Sequence, residues 1–281
     1  MGNLTSSSFD INPLILMNIP SSQKALIRFS GIYRASVTTA EIQVPFDNLD
    51  NGTRILSDES ECIRYIALYG GHHFHKLHAA YDSTKFKKIQ GKDIEIIDWG
   101  CGQALATCVL IDYFIEKNLN LNVSSITLID PSIVALQRGL SLVQQMFQNN
   151  LPIDSVVQLV NKCMDDLTPT DLISEPDSIK IHLFSNILDV ERFDLTRLYQ
   201  LIVRSFHGIN RVICTSPDND RQQRLETFYN LFLQSHKHKV SRESSSTEEI
   251  YGEVFYAATG RYEKRRISRC ERQFTVKLTQ I

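Results

Sequence analysis

The chain has 281 residues, 42% of them hydrophobic and 22% charged, with a formal net charge of −2. This is the balance of an ordinary globular protein with a sizeable core, and it excludes binding to nucleic acid by overall charge, though not through a local basic patch. The length accommodates one large α/β domain with an N-terminal extension, or two small domains, and no apolar run reaches the length of a membrane span.

The start of the chain lacks the basic segment and long apolar stretch of a signal peptide. Cys62, Cys101, Cys108, Cys163, Cys214 and Cys270 are scattered without a C-x-x-C pair. That usage points to reduced thiols in a cytoplasmic protein. Residues 1–56 read as an N-terminal extension or flap. Two short apolar runs, Leu14–Met17 and Ala25–Phe29, flank Pro20-Ser21-Ser22, and Met1–Ser8 is small and polar.

Residues 57–92 read as a helical cap leading into the core. Asp58 with Glu61 three residues on marks a helix start, and Ile63, Ile66 and Ala67 supply its apolar face. Gly70-Gly71 interrupts the pattern. His72, His73, His75 and His78 follow within seven residues, a density that invites a metal reading. No nearby cysteine or acid completes a ligand set, so the histidines are read as packing and hydrogen-bonding groups, and no metal is assigned. Lys85–Lys92 is a polar, basic connector.

Residues 93–281 read as the main domain. Ile94–Asp98 is a short β-branched run ending in an acid, and Trp99-Gly100-Cys101-Gly102-Gln103-Ala104 follows. Alternate glycines let a backbone turn sharply and bring its N–H groups close to a ligand. A helix opening near Gln103 points its positive end at the same place. Leu105, Val109, Leu110, Ile111 and Phe114 give that helix its apolar positions. A second β run, Ile126–Ile129, then ends in Asp130-Pro131, and a helix to about Gln148 follows. Strand, glycine turn, helix, strand and acid make a nucleotide-type binding unit of about 30 residues. On local grounds Asp130 is an ordinary N-cap, but its place at the end of the second strand favours a ligand role.

Asp98-Trp99-Gly100-Cys101-Gly102-Gln103-Ala104 resembles the first motif, D/E-x-G-x-G-x-G, of the class I S-adenosylmethionine-dependent methyltransferases, with Ala104 in place of the third glycine. The rival is a dinucleotide-binding oxidoreductase, whose G-x-G-x-x-G would require glycine at Leu105. The spacing favours the methyltransferase. The resemblance covers about Ile94 to Thr279. It implies a seven-stranded, mainly parallel sheet with helices on both faces and an antiparallel last strand, S-adenosylmethionine as cofactor, and methyl transfer as the reaction.

Cofactor contacts implied by the resemblance run through Gly100, Cys101, Gly102 and Gln103 to the amino-acid end. Asp98 serves the ammonium, directly or through water, and Asp130, next to Pro131, serves the ribose. In the family the segment before the first strand often caps the cofactor, which makes Tyr65, Tyr69 and His75 pocket candidates. After the third β run, Ser155–Val160, Met164 and Asp165 take the family's apolar and acidic adenine positions. A different register puts Cys163 at the acid position and leaves Asp165 and Asp166 as a solvated turn.

Ile179–Phe184 is a fourth strand, and its exit, Ser185-Asn186-Ile187-Leu188, places Ser185 and Asn186 at the reacting end. The exit lacks the prolines and aromatic residue of enzymes that methylate exocyclic amino groups of bases. RNA or a small molecule is therefore favoured as acceptor over the amino groups of DNA bases. Asp189, and His75 if the cap folds over, are conceivable bases, but no catalytic residue is assigned. Asp194–Phe206 is a helix, Arg211–Thr215 a fifth strand and Arg221–Gln234 a further helix. Ser241–Glu249 reads as a mobile polar loop, and Glu253–Ala258 and Gln273–Thr279 as a terminal antiparallel pair. Six basic residues lie between them, Arg261, Lys264, Arg265, Arg266, Arg269 and Arg272. They are candidates for RNA contact, against the reading of a solvated strand face broken by Glu263 and Glu271. A catalytically inactive, cofactor-binding or protein-interaction partner is the alternative function.

Overall fold

A computed structural model describes residues 28–40, 47–150, 156–190, 192–220 and 222–279. Leu14–Met17, Ala25–Ile27 and the first residue of the expected third strand, Ser155, lie outside the described residues. The backbone order is α1 (Phe29–Thr39), α2 (Glu59–Ser83), β1 (Asp93–Trp99), α3 (Leu105–Glu116), β2 (Asn122–Ile129), α4 (Ile133–Asn150), β3 (Val156–Val160), β4 (Ile179–Ser185), α5 (Leu195–Ser205), β5 (Gly208–Ser216), α6 (Gln223–His236), β6 (Val240–Tyr256) and β7 (Arg261–Leu278).

The seven strands form one sheet in the order β3-β2-β1-β4-β5-β7-β6. β1 to β5 run parallel, and β7 is antiparallel to both β5 and β6. This is the architecture the glycine-loop resemblance implies. Its consequence is positional. From β1 the chain crosses to β2 on one side, while β4 lies on the other, so a crevice opens where the C-terminal ends of β1, β2 and β4 diverge.

The central strands are apolar throughout because both faces are covered. Ile94 and Ile96 of β1 pack into one core with α1 to α4, and Ile97 and Trp99 into a second core with α5 and α6. Trp99 is fully buried and stacks on Phe184 with a ring separation of 5.6 Å. Its indole N–H donates to His182 Nδ1 at 3.1 Å. Ten of the 12 residues of α3 are buried, as befits a helix that is apolar all round. It has the sheet on one side and α2 on the other.

Helix α2 is capped by Asp58, whose side chain accepts from Glu61 N at 2.9 Å. The helix runs through Gly70-Gly71 without a break, which corrects the expected interruption. The glycines instead make room. A Cβ at Gly70 would stand 3.1 Å from Tyr33 Cδ2, and one at Gly71 2.7 Å from Tyr33 Oη. Close contact with α1 offsets the helix-propensity cost of about 1 kcal/mol per glycine.

The expected mobile loop Ser241–Glu249 is also corrected, because it forms the first part of β6. β6 and β7 pair from Val240↔Val276 to Tyr256↔Arg261, whereas β7 leaves β5 at Ser216↔Cys270. The remaining stretch is a two-stranded ribbon that continues past the sheet on the side of the crevice. α2 packs against it: a Cβ at Gly252 would run into the His75 ring. Phe255 N donates to Tyr33 Oη at 2.7 Å, joining the ribbon to α1.

The basic stretch therefore lies within β7. Arg265 pairs with Glu263, Arg266 with Glu249, Arg269 with Glu248 and Glu271, and Arg272 with Glu226. Arg261 and Lys264 are exposed.

Candidate active site

The loop after β1 makes its turn with three left-handed residues, Gly100 (φ +60°), Gly102 (φ +52°) and Ala104 (φ +58°). At Gly100 a Cβ would stand 2.6 Å from Ile187 Cγ1, so only glycine lets the β1 and β4 exits approach this closely. Ala104, the residue in place of the third glycine, carries its side chain in a conformation that costs roughly 1–2 kcal/mol. Helix α4 reaches the same loop through Gly139, where a Cβ would lie 2.9 Å from the Gln103 carbonyl carbon.

Asp130 joins the β1 and β2 exits. Its Oδ2 accepts from Gly102 N at 2.8 Å and its Oδ1 from Ser132 N at 2.8 Å. Burial raises its pKa, opposed by these two backbone bonds. A carboxylate offers about four lone-pair sites, so acceptor capacity remains for a ligand hydroxyl. Asn161 Nδ2 fixes the turn by donating to the carbonyls of Asp130 and Pro131 at 3.1 and 2.8 Å.

Around this junction lies a cleft with a cavity volume of about 190 Å³. Its wall holds seven of the residues singled out in the sequence: Gly100, Gly102, Asp130, Pro131, Met164, Ser185 and Asn186. Four others are placed elsewhere. Asp98 is 1% exposed and accepts from Thr107 N and Oγ1 at 3.1 and 2.8 Å, holding the first turn of α3. Burial pushes its pKa up to about 7. Cys101 is buried and gives its N–H to Ile129 O at 2.9 Å. Gln103 is fully buried, with Nε2 donating to Cys62 O at 2.9 Å. Asp165 turns to α5 and accepts from Asp194 N at 3.1 Å, while Cys163 lines the cleft. At the acid position it is thus Cys163 of the shifted register, not Asp165, that reaches the wall, beside Met164.

The cap contributes Tyr65, which lines the cleft. Tyr69 packs on Tyr65 and donates to Asn48 O at 2.6 Å. His75 faces the ribbon, 3.1 Å from Glu253 O, and His78 faces Glu116 at 2.9 Å, so the histidine run disperses. A strap, Gly52–Leu56, forms the cleft's outer rim. It follows a left-handed turn at Leu49, Asp50 and Asn51, and Arg54 secures it to Asp47, Asp50 and Glu61. Arg192, also on the wall, donates to Thr53 O at 3.3 Å.

Two further residues of α2 meet the Asn186 side chain from behind the wall. Lys76 is 4% exposed and donates to Asn186 Oδ1 at 2.6 Å. His73 is buried, with Nε2 2.8 Å from Asn186 Nδ2 and 3.4 Å from Tyr65 Oη, and with Nδ1 3.5 Å from Ser185 Oγ. Lys76 fixes the Asn186 amide with oxygen toward itself, so the amide nitrogen donates to a ring nitrogen of His73. Burial pulls the His73 pKa well down, keeping the imidazole neutral, and pulls the Lys76 pKa down to about 8. For His73 the sequence signal is the histidine run, and for both residues it is spacing. Lys76 and His73 fall in the stripe of Ile66, Leu77 and Ala80, where a polar residue is out of place.

No family model matches the chain, and no curated protein matches it in sequence. Among solved structures, the plantazolicin methyltransferase BpumL, in complex with a monoazolic desmethylPZN analog and SAH, is similar at 10% identity and TM-score 0.47. The match covers 88% of this chain and 96% of that one. A TehB-like SAM-dependent methyltransferase from Corynebacterium glutamicum is similar at 13% identity and TM-score 0.39, over 82% and 93% of the two chains. A precorrin-6y methyltransferase from Geobacter metallireducens is similar at 12% identity and TM-score 0.42, over 70% and 86%. At such identities none of these assigns an activity to this chain.

Proposed function

We propose that the chain transfers a methyl group from S-adenosylmethionine to an acceptor, RNA or a small molecule. The observation that carries this reading is the Asp130 junction. An acid at the end of β2 binds the Gly102 N–H of a glycine loop at the end of β1, at the switch point of the sheet, and its unused lone pairs adjoin an open cleft. The residues fit the cofactor. The loop backbone at Gly100 and Gly102 approaches without Cβ obstruction, Asp130 retains capacity for ribose hydroxyls, and Met164, Ile187 and Tyr65 offer apolar surface for the adenine and the methionine stem.

When bound, the cofactor supplies an activated methyl carbon, and the protein's task is alignment and exclusion of water. Residues 57–92 act as the cap of the 93–281 domain, since α2 brings Tyr65, His73 and Lys76 to the β4 exit, and the 1–56 extension contributes a flap only through its last residues, the strap Gly52–Leu56 at the rim. Arg261 and Lys264 are the basic residues of the ribbon open to an RNA phosphate. The six cysteines are free thiols, in keeping with a reducing, cytoplasmic setting.

The test is to incubate the protein with methyl-labelled S-adenosylmethionine and, separately, an RNA fraction and a small-molecule fraction. Protein-dependent formation of S-adenosylhomocysteine with label in one fraction is the expected result. Binding without turnover in any fraction would favour an inactive cofactor-binding partner instead.

A further inference from the structure

Lys76 is a buried cation with little to neutralise it. Of the three N–H donors of an ammonium, the described contacts use one, to the neutral amide oxygen of Asn186. Among the described residues no carboxylate lies within ion-pair distance. Asp189, three residues after Asn186, is the acid whose charge supports the ammonium, yet among the described residues its buried Oδ1 has no partner and its Oδ2 accepts from Asn219. The other ionisable groups nearby are His72, His73 and Tyr65 on the same helix. Arg265 of β7 acts on His72. A lysine held this way is easily deprotonated, and one N–H to Asn186 leaves the lone pair of the neutral amine free. Lys76 is not itself on the cleft wall; its Nζ lies one hydrogen bond behind it, at Asn186, which with Ser185 forms the wall at the β4 exit.

We propose that the Lys76 amine is the base that receives the acceptor's proton, and that the positive charge of the bound cofactor is what frees it to do so. This rests on the methyl-transfer reading. The sulfonium and the ammonium are like charges brought together in a desolvated site, so binding of S-adenosylmethionine expels the Lys76 proton. The acceptor's lone pair then forms a bond to the methyl carbon, and the carbon–sulfur bond breaks with its electron pair going to sulfur. The acceptor's proton passes to the Lys76 lone pair. Positive charge leaves the sulfur as it arrives on the lysine, so the site's net charge is conserved through the step. The acceptor class follows: a group that carries its own dissociable proton, a hydroxyl or an N–H, and not a tertiary amine or a thioether.

The experiment needs no acceptor. The full chain, Lys76→Met and Lys76→Arg are titrated with S-adenosylmethionine and S-adenosylhomocysteine between pH 7 and 9, in buffers of different ionisation enthalpy. The cofactor's amino group titrates in the same range, so the two variants, neither of which titrates at position 76, are the reference. The wild type should bind S-adenosylmethionine about tenfold more tightly at pH 9 than at pH 7, over and above any trend in the variants, as expected for expulsion of a proton from a group titrating near 8. It should also release a proton that the variants do not. S-adenosylhomocysteine, whose sulfur is neutral, should show no such difference between wild type and variants. Binding of both cofactors with the same pH dependence in all three proteins would overturn the role of Lys76 while leaving the methyl-transfer reading intact. Binding of neither by folded wild type would overturn both.

Discussion

The contact between Gly100 and Ile187 holds the two halves of the cleft at their present spacing, and it can be measured. In Gly100→Ala the new Cβ would lie 2.6 and 2.7 Å from Ile187 Cγ1 and Cδ1, at a backbone φ of +60°. The left-handed conformation costs roughly 1–2 kcal/mol for a non-glycine residue. The overlap adds about 1–3 kcal/mol, because Ile187 is packed against the core and yields only with a shift of the β4 exit. A total loss of about 2–5 kcal/mol is expected from urea unfolding. The two contributions separate in a double-mutant cycle. Ile187→Ala removes the atoms that clash, so in the double variant only the backbone term survives. The coupling energy should be about 1–3 kcal/mol in the direction of relief. Additivity within about 0.5 kcal/mol would show that Ile187 does not confine Gly100 and would refute the steric account.

Further predictions concern the supports of the cleft. Asp98 titrates near 7 because it is buried, so between about pH 4 and 7 the native state holds a proton that the unfolded chain has lost, and the group's contribution to stability falls as pH rises. Asp98→Asn should gain on the wild type by up to about 4 kcal/mol from pH 4 to 8 in parallel urea titrations; a pH-independent difference would contradict this. In Gly71→Ala the new methyl group would meet Tyr33 Oη at 2.7 Å and Val254 Cγ1 at 3.0 Å. A net loss of about 1–2 kcal/mol is expected despite the better helix propensity of alanine, and a raised melting temperature would refute it. Trp99→Phe leaves the buried Nδ1 of His182 without its donor and should cost about 1–3 kcal/mol, read as a lower urea midpoint; an unchanged midpoint would show that the bond carries no net stability.

What could be read in the sequence was what local chemistry dictates. Gly100 and Gly102 sit where positive φ and close approach demand glycine, and Asp130 ends a strand, so the binding unit and the sheet built on it were legible from one stretch. The ribbon was not. β6 is an edge strand with solvent on much of both faces, so Ser244, Ser245, Thr247 and Glu248 lack the alternation that marks a half-buried strand, and pairing with β7 fixes them. Gly70 and Gly71 look like a break in the sequence because their reason is a tyrosine on another helix. His73 and Lys76 became site residues only through Asn186, more than 100 positions away. Asp98 and Gln103 belong to the motif by position, yet the structure turns one to Thr107 and the other to Cys62.

The most direct test of methyl transfer is whether the cleft takes the cofactor. Purified, folded protein freed of carried-over ligand should be titrated calorimetrically with S-adenosylmethionine, S-adenosylhomocysteine and NAD, alongside Asp130→Asn, which keeps one acceptor oxygen for the glycine loop. The account predicts saturable binding of both adenosyl compounds, none of NAD, and binding at least about tenfold weaker in the variant, the loss expected for one charged hydrogen-bond acceptor. Absence of binding by the wild type, or binding unaffected by Asp130→Asn, would contradict it.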